Sequence, residues 1–160
     1  MEMFRRMIFI KNLSSCLNYY SRKSVFIYFF IYQVIMYLLY TQTYLIHDEL
    51  EKSLVLIEET NIWFLAGLVI IIAPIIEEFI FRRVVFNFFL RINMVAAILA
   101  SSLGWAFVHF SSNPIVFFML FFLGIILAIT RIESKEIKFS ILLHAINNAF
   151  FLFILKVFYI

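Results

Sequence analysis

Two adjacent carboxylates, Glu77 and Glu78, an arginine, Arg82, two histidines, His109 and His144, and an amide, Asn148, lie in stretches of sequence that are otherwise apolar. An ionisable side chain in a bilayer costs about 2.5 to 3.5 kcal/mol even on a lenient insertion scale, so each needs a partner or a chemical task. Carboxylate, imidazole and amide are the groups with which a hydrolase activates water and stabilises an oxyanion. Glu77, His109 and His144 are also the kind of donor set that a catalytic zinc takes, three ligands plus one water. No H-E-x-x-H spacing accompanies them.

Spacing divides the six. Glu78 and Arg82 stand at i, i+4, the favourable acid-before-base order for an ion pair on one helix face. Glu77 is rotated from Glu78 by about 100° in an α-helix, which frees it to meet a different neighbour. His144 and Asn148 also stand at i, i+4 and share a face, while Asn147 points elsewhere. Ser101 and Ser102 read as small packing residues, since no base sits one turn away.

The elements that must carry these residues follow from composition. Of 160 residues 65% are hydrophobic and 14% charged, and the mean hydropathy is +1.02; soluble domains are about 45 to 50% apolar and about 25% charged. A soluble globule of this size has no interior large enough to hide so much apolar surface. With 3 Gly and 2 Pro, disordered and collagen-like chains are excluded as well. The lone cysteine, Cys16, has no internal disulfide partner.

Apolar runs at 25–46, 62–90, 93–110, 114–130 and 137–160 predict five spans, with Pro74 a kink in the second. All must be helical, because an open sheet in lipid leaves backbone groups unpaired. The acidic stretch 47–61 between the first two reads as an interfacial amphipathic connection. The expected fold is an all-α polytopic helical bundle, one membrane domain over 1–160 with a motif-bearing core at 70–150. Arg5, Arg6, Lys11, Arg22 and Lys23, then Arg82, Arg83 and Arg91, then Arg131, Lys135 and Lys138 fall on one side of that arrangement. Basic residues mark the cytoplasmic side, so the N-terminus is expected inside, and the net charge of +3 is a signal of topology rather than of nucleic acid. Straight upright helices would put Glu77 about 21 Å, Asn148 about 15 Å and His109 about 27 Å from the inner boundary. Tilt, the Pro74 kink or a broken second helix must bring them level.

The string Ala73-Pro74-Ile75-Ile76-Glu77-Glu78-Phe79-Ile80-Phe81-Arg82, the segment Trp105-Ala106-Phe107-Val108-His109 and the segment His144-Ala145-Ile146-Asn147-Asn148 resemble the three ordered motifs of the CAAX-protease and bacteriocin-processing membrane proteins, E-E-x-x-x-R, F-x-x-x-H and H-x-x-x-N. Phe121-Phe122-Leu123-Gly124 lies between the second and third. Trp105 stands where the second motif has Phe, keeping an aromatic packing role, and Arg83 stands where many relatives have Gly, adding a cation near the site.

The resemblance implies an intramembrane endopeptidase that cuts a peptide bond near the membrane surface. By that resemblance Glu77 is the base that activates water, His109 orients the water or shuttles its proton, and His144 with Asn148 donates to the oxyanion. Glu78 and Arg82 pair to hold the helix in register. No cofactor is expected; zinc at Glu77, His109 and His144 is the alternative. The expected partners are membrane lipid and a protein or peptide substrate. The alternative function is a bacteriocin self-immunity membrane protein that acts without essential proteolysis.

Overall fold

Asparagine begins three of the helices, for one physical reason: the first backbone N–H groups of a helix have no partner inside it, and a short side-chain oxygen supplies one. Asn61 accepts from the amides of Trp63 and Phe64, Asn93 from Ala96, and Asn113 from Ile115 and Val116 with Pro114 following as first helical residue.

The computed structural model describes residues 22–41, 47–109, 111 and 113–159. Its elements are α1 (Arg22–Thr41), α2 (His47–Glu59), α3 (Ile62–Leu90), α4 (Met94–Val108), α5 (Pro114–Ser134) and α6 (Ile137–Tyr159). No strand occurs among the described residues. Arg5, Arg6, Lys11, Cys16 and the last five residues of the first expected span lie outside them. The stretch expected as an amphipathic connection is the helix α2, joined to the start of α5 through Ser111, which donates to Glu49 at 3.1 Å. Three helices, α3, α5 and α6, are long and apolar enough to cross a bilayer, and the apolar parts of α1 (Ser24–Leu39) and α4 are shorter. The polytopic helical bundle read from the sequence is the observed architecture.

Helix α5 is the centre, packing against α4, α1 and α6, while α3 packs on α4 and α6. Val25 and Phe29 of α1, Phe81 of α3, Trp105 of α4, Leu127 of α5 and Leu143 of α6 share one core. Gly124 sets the closest approach: a Cβ there would lie 3.0 Å from the Cα of Ser102, so the α4–α5 crossing requires a residue without a side chain. Large apolar side chains such as Phe30, Ile71, Phe79 and Phe153 face outward. That surface, intolerable in water, is what a bilayer solvates. Helix α5 ends at Lys135, the one non-glycine residue with positive φ among those described (φ 60°).

The departure from regular geometry is in α3. Gly67–Ile72 and Phe79–Val85 are π-helical, with α-helical turns between and around them. A π turn is rare and concentrates at functional sites; here two of them flank Pro74, Glu77 and Glu78. The kink expected at Pro74 therefore takes the form of a locally rewound helix. In the first π stretch the N–H of Ala73 bonds to Leu68 O, five residues back. The next donor in that pattern would be residue 74, which is proline and has no N–H, so the carbonyl of Val69 is left without a helical partner.

Candidate active site

The α-helical turn Ala73–Glu78, with its step of about 100° per residue, lets two consecutive glutamates face two different surroundings. Glu78 points inward and is fully buried, and Glu77 keeps about a quarter of its side chain accessible.

Every oxygen of Glu78 is engaged. Oε2 lies 3.2 Å from Nε of Arg82 and accepts from the hydroxyl of Ser140 on α6. Oε1 is 3.2 Å from Nδ1 of His144, also on α6. Arg82 is buried as completely, and its Nη1 donates to the carbonyl of Ser101 on α4 at 3.2 Å. Its guanidinium stands 5.9 Å from the centre of the Trp105 ring, in range of a cation–π contact. The i, i+4 pair expected from spacing is therefore the hub of a network that joins α3, α4 and α6.

Glu77 is built differently. Its Oε2 accepts a 2.7 Å hydrogen bond from the indole N–H of Trp105, and the same oxygen is 3.6 Å from Nε2 of His109 and 3.8 Å from Nε2 of His144. Both separations exceed a direct hydrogen bond. The partners of the other ring nitrogens require a proton on each Nδ1. Nδ1 of His109 faces the carbonyl of Trp105 at 2.9 Å, and only an N–H can pair with a carbonyl. Nδ1 of His144 faces the Glu78 carboxylate in the same way. Both rings thus present Nε2 towards Glu77. The Trp105 ring lies tilted against His109 at 4.3 Å and meets His144 edge-on at 5.2 Å, forming the floor on which the three converge.

Glu77, His109 and His144 are thus brought to one point, although straight helices would put Glu77 and His109 at different depths. Asn148 is one turn beyond His144, and its amide donates at 2.9 Å to the orphan carbonyl of Val69. Arg83 is exposed, directed away from the buried network. Among the described residues no group of three or more His, Cys, Asp or Glu side chains is arranged to hold a metal ion. Two participants escaped sequence reasoning. By sequence Trp105 offers only an aromatic at a packing position, yet its N–H makes the shortest of the three contacts to Glu77 Oε2. Ser140 carried a signal that spacing could have supplied, since it precedes His144 by four residues and so continues the stripe of His144 and Asn148.

The sequence pattern of the family described as Type II CAAX prenyl endopeptidase Rce1-like matches residues 59–150, more than half of the chain. The chain belongs to that family. The Membrane-embedded CAAX protease MroQ of Staphylococcus aureus (strain USA300) is 27% identical over 128 residues, covering 75% of this chain and 51% of that protein. The chain thus spans about half the length of the curated relative it matches. No solved structure matches it. The chain is a multi-pass membrane protein of a protease family, and all of the site described above falls within the matched segment.

Proposed function

We propose that this chain is a membrane endopeptidase in which Glu77 activates a water molecule for attack on a peptide carbonyl near the membrane surface. The observation that carries this reading is the meeting of Trp105 Nε1, His109 Nε2 and His144 Nε2 at a single oxygen of the part-exposed Glu77 side chain. In the mechanism Glu77 takes a proton from water as the oxygen attacks the carbonyl carbon. Trp105 holds the carboxylate by its N–H and thereby aims the second lone pair into the gap. His109 orients the water and relays the proton to the departing nitrogen, so that cleavage of the C–N bond leaves a carboxylate and an amine. Oxyanion stabilisation falls to His144 and to the free N–H of Asn148. Donation from His144 Nε2 requires the doubly protonated ring, for which Glu78 is the adjacent counterion. No metal takes part in these steps.

The test is cleavage of internally quenched peptides by the full chain in proteoliposomes. Glu77→Gln keeps the shape of the side chain and the acceptor for Trp105 but cannot take a proton, and should lower kcat by about 10²- to 10⁴-fold. His109→Ala should lose activity similarly, and 1,10-phenanthroline should leave the wild type unaffected. Wild-type rates in Glu77→Gln would overturn water activation, and inhibition reversed by added zinc would replace it with a metal mechanism. In a bacteriocin-producing strain, protection retained by Glu77→Gln would instead favour immunity without proteolysis.

A further inference from the structure

One polar side chain on α1, Gln33, and one on α6, Asn147, belong to no motif and are not used by the mechanism, yet they lie on a single line of amides that ends at α3. Gln33 Nε2 donates to Asn147 Oδ1 at 3.1 Å, Asn147 Nδ2 donates to Asn148 Oδ1 at 3.2 Å, and Asn148 Nδ2 donates to Val69 O at 2.9 Å. The direction of the line is forced from its far end. Val69 O can only accept, so the atom of Asn148 facing it must be nitrogen. The oxygen of Asn148 then faces Asn147 and demands an N–H from it, and the oxygen of Asn147 demands one from Gln33. Reversing any amide would set oxygen against oxygen or N–H against N–H in a low-dielectric interior, where an unpaired polar group is costly. The acceptor that starts the line exists because Pro74 lacks an N–H, three residues before Glu77.

Gln33 stands in a stretch of α1 that is otherwise apolar, beside a groove of about 620 Å³ between α1 and α6 that Phe26, Phe30 and Phe150 also line. Apolar packing there asks for no amide. We propose that Gln33 and Asn147 are positioning residues that lock the Asn148 amide with its nitrogen towards α3, so that its second N–H is held ready for the oxyanion and the π-helical turn before Glu77 is held in place. The inference rests on the water-activation reading for its catalytic consequence, and on the hydrogen-bond line alone for its structural one. It also makes α1, which the family match does not include, part of the working site.

Two measurements on the full chain in proteoliposomes test it. The first is hydrogen exchange of the Asn148 side-chain amide in protein labelled with ¹⁵N-asparagine, its signals assigned by their loss in Asn148→Leu. Gln33→Leu suits an apolar helix and should speed that exchange by about tenfold or more; exchange at the wild-type rate would overturn the proposal. The second is a double-mutant cycle on peptide cleavage. Gln33→Leu and Asn147→Leu should each lower kcat about five- to tenfold with KM unchanged, as for an interaction made in the transition state. In the Asn148→Ala background Gln33→Leu should then have no further effect. An equal loss in both backgrounds would show a merely structural role and overturn the proposal. If Glu77→Gln cleaves as the wild type does, water activation fails, and the exchange measurement still decides whether the relay exists.

Discussion

Glu77 and Glu78 are neighbours in sequence and opposites in surroundings. Glu78 is closed in and both of its oxygens are engaged: Arg82, Ser140 and His144 are all buried, and the carboxylate has no accessible surface. Around Glu77 one hydrogen bond is short, two approaches are left long, and both Glu77 and His109 keep about a quarter of their side chains open. A closed carboxylate has no room for a reactant but ties three helices together. An open one contributes less to cohesion but can exchange a proton with something that arrives. The difference shows how two adjacent residues of one type take up a closed and an open setting, with His144 spanning the boundary through its two ring nitrogens.

The division can be broken most severely at its closed half. Arg82→Met should destabilise the bundle by about 3 to 5 kcal/mol, because Glu78 is left as a buried, uncompensated charge. Glu78→Gln with Arg82→Met should recover much of that loss, while Glu77→Gln should unfold in detergent as the wild type does. Thermal unfolding followed by helical circular dichroism checks all three, and equal stability of the single and double variants would merge the two regions into one. A smaller effect is expected behind the network. Gly124→Ala pushes a methyl against the Ser102 backbone, and should cost about 1 to 3 kcal/mol by overpacking, with cleavage falling only as the folded fraction falls. The smallest effect sharpens the open half: Trp105→Phe preserves an aromatic floor but removes the N–H from Glu77. It should lower stability by about 1 kcal/mol and kcat by about tenfold, read as a change in rate per folded molecule.

The helical membrane fold was legible because lipid leaves so few alternatives: long apolar runs such as 114–130 must be helices, and hydropathy finds them. The i, i+4 rule was enough to pair Glu78 with Arg82. It could not foresee that α3 is rewound, since apolar side chains such as Val69 and Ile70 look alike whether their backbone bonds run four residues or five. The consequence of Pro74 was accordingly read as a bend and not as an orphan carbonyl, and the amide that answers it lies 79 residues further along the chain. Trp105 was hidden for a related reason, because an indole satisfies the demand for an aromatic and adds a donor that spacing cannot weigh. Orientation rests on the distribution of Arg and Lys; reporter fusions within α2 should register outside the cytoplasm.

The indole that holds Glu77 is also a light source. The sequence has two tryptophans, and the other, Trp63, is 81% exposed at the start of α3, so Trp63→Phe leaves a tryptophan emission, excited selectively over tyrosine, that comes from Trp105 alone. Its N–H is bonded to the Glu77 carboxylate and its ring lies against both histidines, which makes its excited state sensitive to a proton arriving on either imidazole and to a ligand displacing solvent from the gap. The quantum yield of this single fluorophore can thus follow occupancy and protonation of the site in intact vesicles, in real time and without an attached label.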